Sequence, residues 1–211
     1  MYSSGEGVAV NNSEAFKWYK RAAVAGDANA QLNLGACYIR GTGTAIDKCE
    51  AVKWYKLAAE AGIANAQADL GSCYSQGTGV AVDKCEALMW CKRAAENGDT
   101  IAQYNLGNMY NTGDGADVNE SEAVKWYKLA AEKGFADAQC NLGVCYAIGN
   151  GIAVDKQEAV KWYKLAAEQG NYTSQHNLGR CYQHGDGVAV DKKEADKWYT
   201  RAIKSGYVVK K

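Results

Sequence analysis

The chain has 211 residues, with 24 Lys and Arg set against 24 Asp and Glu, so its formal charge at pH 7 is zero. That balance excludes a surface dedicated to nucleic acid or to an anionic membrane, whose affinity rests on an excess of Lys and Arg. No apolar run approaches a membrane span, no basic start followed by an apolar stretch reads as a signal peptide, and nothing reads as a low-complexity linker.

Tryptophans stand at 18, 54, 90, 126, 162 and 198, every step being 36 residues. A fixed period of this size marks a stacked repeat array that grows by units and not around one central core. The period predicts a single solenoid over 1–211: a partial first repeat at 1–26, full repeats at 27–62, 63–98, 99–134, 135–170 and 171–206, and a tail at 207–211. Met1 to Gly7 reads as the stub of a helix.

In chain order, the first complete helix follows Asn11, and its kind, here called B, recurs in every copy. Asn11, Asp47, Asp83, Asn119, Asp155 and Asp191 each precede a Glu by three residues, at 14, 50, 86, 122, 158 and 194. This predicts a capping box, in which the first side chain binds a free backbone N–H and the Glu reaches back. The apolar residue before each cap, from Val10 and Ile46 to Val190, is expected to staple onto Ala51 and its equivalents one turn in. In the clearest copy, Asp47 to Ala61, only Lys53, Lys56 and Glu60 form a polar stripe, so the helix is buried on most sides. A glycine at 26, 62, 98, 134, 170 or 206 follows each B helix, where a left-handed backbone is needed.

The second kind, helix A, first runs from about Asn29 to Arg40 and recurs five times. Gln31, Leu34, Gly35 and Tyr38 have identical counterparts in all five copies. A mid-helix glycine costs about 0.5–1 kcal/mol relative to alanine, so its recurrence implies that the partner helix leaves no room for a Cβ. Gly-x-Gly loops such as Gly41-Thr42-Gly43 lead from A back to B. They follow helices and precede no Gly-Lys-Ser/Thr, so turn geometry explains them better than phosphate binding does.

Ala30-Gln31, Leu34-Gly35, Tyr38, Gly41, Gly43, Glu50-Ala51, Trp54-Tyr55 and Ala58-Ala59 together resemble the Sel1-like repeat, a relative of the tetratricopeptide repeat. The likeness runs from Tyr2 to Gly206. It implies an all-α, right-handed α/α superhelical solenoid of helix–turn–helix repeats, here six B and five A helices without strands, acting as a non-catalytic adaptor scaffold. Where the family often has Pro after Gly-x-Gly-Val, this chain has Ala9, Ala81, Ala153 and Ala189, which removes some loop stiffness only.

Eight cysteines are present. Cys37, Cys73, Cys145 and Cys181 share one helix A position and read as small apolar packing residues. Adjacent helices stand about 8–10 Å apart, beyond the ~7 Å Cα reach of a disulfide. Free thiols, no metal, no cofactor and a reducing, cytoplasmic setting are the expectation. Cys140 is placed on the outer face of its helix. Cys181, His184 and His176 lie near one another but lack a third ligand of suitable spacing and any oxyanion device, so an enzyme is not expected. Asn-x-Ser/Thr sequons begin at Asn11, Asn119 and Asn171, two of them at caps.

The copies locate a binding surface. Positions equivalent to 29, 32, 33, 36, 39 and 40 share one arc of helix A, opposite the invariant Gln, Leu and Tyr. Of these thirty side chains only Arg40, Asp69, Asp137 and Arg180 are charged, whereas the helix B stripe at 53, 56 and 60 is charged at fifteen of eighteen places. A surface poor in Lys and Glu with scattered aromatic and amide groups has the composition of an interaction patch. The candidate partner-binding residues are Asn33, Arg40, Asp69, Gln76, Tyr104, Asn105, Asn108, Asn111, Asn141, His176, Asn177, Arg180 and His184. By the tetratricopeptide resemblance they line the concave side, with Asn33, Asn105, Asn141 and Asn177 as a ladder of amides able to hold an extended peptide and Tyr104 as its central anchor. The expected partner is a protein or peptide. The alternative is a structural segment that stacks end to end through its terminal repeats, using the first B helix and the apolar tail from Tyr207 to Val209.

Overall fold

The computed structural model describes residues 11–207. The stub at 1–7, the Val10 staple and the tail beyond Tyr207 lie outside the described residues. Among those described there are eleven α-helices and no strand. They are α1 (Asn12–Val24), α2 (Ala28–Arg40), α3 (Lys48–Glu60), α4 (Ala64–Gln76), α5 (Lys84–Glu96), α6 (Thr100–Thr112), α7 (Glu120–Glu132), α8 (Ala136–Ile148), α9 (Lys156–Glu168), α10 (Tyr172–His184) and α11 (Lys192–Lys204). Odd numbers are B helices and even numbers A helices.

The chain divides into two compact units, 1–102 and 103–211, with the boundary in the first turn of α6. In the first unit α2 packs on α1 and α3, and α4 on α3 and α5, around Ala51, Tyr55, Ala58, Leu70, Cys73 and Trp90. In the second, α8 packs on α7 and α9, and α10 on α9 and α11. Its core holds Tyr127, Leu142 and Cys145, and then Tyr163, Leu178 and Trp198. The invariant leucines Leu34, Leu70, Leu106 and Leu142 are 0 % exposed, each burial stabilising its unit by about 1.5–3 kcal/mol.

Each B helix is capped as expected on one side only. Asn11, Asp47, Asp83, Asn119, Asp155 and Asp191 accept the N–H three residues on, at 2.9–3.1 Å. The reciprocal half of the capping box is not made. From Asp47 onward the cap's own N–H donates to the tyrosine carbonyl of the preceding A helix, as Asp47 N to Tyr38 O at 3.0 Å and Asp155 N to Tyr146 O at 2.9 Å. The cap donor is therefore spent on closing the A-to-B loop. The freed glutamates pair instead with the lysine three residues on, as Glu158 does with Lys161 at 2.7 Å and Glu122 with Lys125. Where Met89 replaces that lysine, Glu86 accepts from Trp90 Nε1 at 3.0 Å. The staple also differs from expectation. Ile46, Val82, Val118, Val154 and Val190 are more than half exposed and lie over the left-handed glycine that ends the preceding A helix.

The invariant glutamine joins successive repeats. Gln31, Gln67, Gln139 and Gln175 are buried, and each donates Nε2 to an alanine carbonyl near the end of the preceding B helix, at 3.0–3.2 Å. Its oxygen depends on the residue that ends the following B helix. Asn97 donates to Gln67 Oε1 at 2.9 Å and Gln169 to Gln139 Oε1 at 2.8 Å. Ser205 occupies that place opposite Gln175, whose Oε1 is buried without a hydrogen bond among the described residues. Ser205→Asn supplies the missing donor and is expected to stabilise the protein by about 0.5–1.5 kcal/mol in urea unfolding. Gln169→Ala removes the natural donor and should cost a similar amount.

Two glycine classes are steric. A Cβ at Gly143 would stand 2.7 Å from the Tyr163 ring, and one at Gly107 2.6 Å from Tyr127. At Gly71 the facing residue is Cys91, and the nearest atom is Ala87 O at 3.2 Å. The second loop glycine has a role beyond the turn. Gly187, at φ +75°, abuts the Lys156 carbonyl at the start of α9, so a Cβ there would overlap backbone.

Candidate functional site on the A-helix face

The arc of variable helix A positions is built around a cleft that recurs with the repeat. Two A helices form its walls, and the B-helix tyrosine between them lies at its base. In the first unit, Ile39 of α2 and Asp69, Ser72, Cys73 and Gln76 of α4 surround Tyr55, enclosing about 150 Å³. In the second unit, Asn108 and Asn111 of α6 and Asn141 and Val144 of α8 surround Tyr127, enclosing about 130 Å³. One repeat on, Val144, Ala147 and Ile148 of α8 and Asn177 and Arg180 of α10 surround Tyr163, and this cleft reaches about 340 Å³. Val144 is common to both clefts of the second unit.

The walls differ in chemistry. In the first unit Asp69 brings a carboxylate, and the Arg40 charge acts on it and on Tyr55. Gln76 and Asn33 are exposed, with Asn33 Nδ2 returned to the Asn29 carbonyl at 2.9 Å. The middle cleft is an amide cluster. Asn108 Oδ1 accepts from Tyr127 Oη at 2.8 Å and from Asn141 Nδ2 at 3.2 Å. Asn111 Oδ1 lies 2.9 Å from the Asn150 amide, whose NH₂ belongs on the side of the Glu120 carboxylate. The last cleft is cationic. Arg180 is exposed at its rim, and Lys156 lies within it, bound to Asp186 at 2.6 Å.

The predicted residues are thus only partly brought together. Asn108, Asn111 and Asn141 share one cleft, Asn177 and Arg180 another, and Asp69 and Gln76 a third. Asn105 and His184 are exposed beside them. Tyr104 is half-buried, with its ring centroid 5.1 Å from Phe135 and 6.2 Å from Tyr127, so much of its surface is committed to packing. His176 stacks on Tyr207 at 4.3 Å; desolvation, then the Arg180 charge, hold its pKa below the usual value and favour the neutral ring. Cys140, expected on the outside, is only 5 % exposed. The position shared by Leu32, Tyr104, Cys140 and His176 therefore faces the neighbouring repeat. Sequence reasoning missed Tyr163 and Lys156, which join the cleft from α9, and Asp186, which joins it from the loop after α10. Their signal was a polar pair 30 residues apart that ties the start of one B helix to the next A-to-B loop.

No cluster of three or more His, Cys, Asp or Glu suited to a metal occurs among the described residues. Burial pushes the Cys181 thiol up to about 11, and those of Cys73 and Cys145 likewise.

A family model described as the Sel1 repeat matches residues 1–27, 28–63, 64–99, 100–135, 136–171 and 173–207. The chain belongs to the Sel1 repeat family. A Sel1 repeat protein from Oxalobacter formigenes is 39 % identical, with a TM-score of 0.80 over 95 % of this chain and 80 % of that one. The protective antigen c5321 of uropathogenic Escherichia coli, which displays the same repeat fold, is 33 % identical with a TM-score of 0.75. That alignment covers 98 % of this chain and 52 % of c5321, so the chain spans about half of that protein. No curated protein matches the chain. These likenesses establish an all-α Sel1 repeat solenoid, a fold that generally serves as a protein-interaction scaffold. Within its Sel1 repeats all three sequons lie at helix caps, since Asn171 accepts from Ser174 N at 2.8 Å and donates to Asp137.

Proposed function

We propose that this Sel1 repeat chain is a non-catalytic scaffold that holds an extended segment of a partner protein against its A helices. The carrying observation is the contrast between two surfaces made by the same repeats. The A-helix face repeats one cleft architecture with a different lining each time: acidic at Asp69, amide at Asn108 and Asn141, cationic at Arg180. The B-helix stripe repeats one solution, exposed lysines paired with nearby glutamates, such as Lys53 with Glu50 and Lys161 with Glu158. Such exposed pairs contribute little and distinguish nothing. Clefts that vary while their framework stays fixed are what a reader of side chains needs.

Site-specific crosslinking tests the reading. A photoreactive amino acid placed at Asn105 in the A-helix face is expected to capture a discrete partner from cells of the source organism. The same group at Lys128 on the B stripe should capture nothing above background. Capture from position 128 and not from 105 would reverse the assignment.

A further inference from the structure

The cleft around Tyr163 differs from its two counterparts in size and in charge. It holds about 340 Å³, against about 150 and 130 Å³ for the others. The position taken by Arg180 is Ser72 in the first unit and Val144 in the middle cleft. Arg180 is exposed and makes no hydrogen bond or ion pair among the described residues. The other charges are accounted for. Lys156 and Asp186 pair at 2.6 Å, the α8 wall of Val144, Ala147 and Ile148 carries no charge, and both His184 and Arg180 lie near enough to act on Asp186 without an ion pair to it. One Lys156–Asp186 pair and the Arg180 guanidinium together leave a net positive charge at a partly apolar hollow that Asn177 and Tyr163 also line.

Val144 is also a wall of the amide cleft, so the two hollows adjoin across its side chain. In the amide cleft Asn108 Oδ1 already accepts twice, which leaves Asn108 Nδ2 as a donor and Asn141 Oδ1 as an acceptor on two residues that line the same hollow. A chain that crosses Val144 sets one side chain in each hollow. Neighbouring helices about 10 Å apart correspond to about three residues of extended chain.

Building on the scaffold reading above, we propose that the cleft between α8 and α10 takes an Asp or Glu side chain from the interior of an extended partner segment, with Arg180 as its counter-charge. The adjoining amide cleft takes a side-chain or backbone amide about three residues away. Guanidinium and carboxylate form the strongest polar pair available at such a rim, and the apolar wall accepts the methylenes of the acid.

The test uses the purified 211-residue chain and a positional-scanning library of octapeptides, N-acetylated and C-amidated so that the only carboxylates are side chains. Wild-type protein should enrich Asp or Glu at one position. Arg180→Gln should abolish that enrichment, and Arg180→Glu should replace it with Lys or Arg, all with unchanged melting temperature. For one selected peptide, exchanging its glutamate for glutamine should weaken binding about tenfold in fluorescence anisotropy, the size expected for one hydrogen bond to a charged group. The same exchange should change nothing in Arg180→Gln. An absence of acidic enrichment, or enrichment that survives Arg180→Gln, overturns the inference; so does failure to select any peptide. Selective binding without acidic preference leaves the scaffold reading standing, whereas crosslinking confined to position 128 removes the scaffold reading itself.

Discussion

Gly143→Ala should destabilise the protein by about 1–3 kcal/mol in urea unfolding, the cost of forcing an extra carbon into a filled core. Gly71→Ala, at the same helix A position, should fall within about 1 kcal/mol of wild type, because replacing a mid-helix glycine itself returns about 0.5–1 kcal/mol. The added carbon at 143 meets the Tyr163 ring at 2.7 Å and Ala159 O at 3.3 Å. That ring is only 4 % exposed and packs in the core with Val160, Leu178 and Trp198, so displacing it disturbs packed neighbours. At 71, Cys91 stands in place of the tyrosine, and the nearest atoms are backbone at 3.2 and 3.3 Å, which a shift of a few tenths of an ångström relieves. A double-mutant cycle isolates the cause. In a Tyr163→Cys background, Gly143→Ala should lose most of its cost. Equal costs at 71 and 143 would mean that the glycine is kept for a reason other than the ring.

Thiol labelling of the native protein should show two fast cysteines and six slow ones. Cys49 and Cys85 are exposed, while Cys37, Cys73, Cys91, Cys140, Cys145 and Cys181 are buried. Burial also raises the slow thiols: Cys73, Cys145 and Cys181 to about 11 and Cys91 to about 12. A thiol at about 11 is roughly one part in a thousand thiolate at pH 8, and only the thiolate reacts. Protection and low ionisation act together, so the two groups should separate by several orders of magnitude. The six should become reactive as their units unfold in urea. A third fast thiol in the native state, in particular Cys140, would contradict the packing between α8 and its neighbours. Fewer than eight thiols after denaturation without reductant would point to disulfides in the isolated protein.

The fold was written in the sequence because the copies check one another. A cap, a glycine and a tryptophan recurring every 36 residues leave little freedom in placing α1 to α11. What periodicity could not supply was the use of each group once the helices met. The sequence pattern at Asp47 and Glu50 suggests a mutual box, but the cap N–H is taken by Tyr38 O, a contact between two helices that local spacing does not reveal. A helical wheel sets Cys140 and Tyr104 outside because it sees one helix, whereas each is covered by the next repeat. The candidate site was legible as an arc and not as clefts. Asn141 and Asn108 were separately named, but their hydrogen bond at 3.2 Å joins residues 33 apart. Arg180 stood out only as one of four charges on the arc, and its cleft requires Tyr163 from α9 and Lys156 from its first turn.

The most direct test of the scaffold account is a comparison of affinities for a partner recovered by crosslinking at position 105. Asn105, Arg180 and His184 are exposed on the A-helix face, and Lys125 and Lys128 are exposed on the B stripe. The triple variant Asn105→Ala, Arg180→Ala, His184→Ala should weaken binding tenfold or more, as truncation of interface anchors does (~1.4 kcal/mol), while its melting temperature stays that of wild type. Lys125→Ala with Lys128→Ala should leave affinity within about twofold, since exposed pairs on that stripe carry little energy. Undiminished binding by the A-face variant, together with loss of binding in the B-stripe variant, would contradict the account.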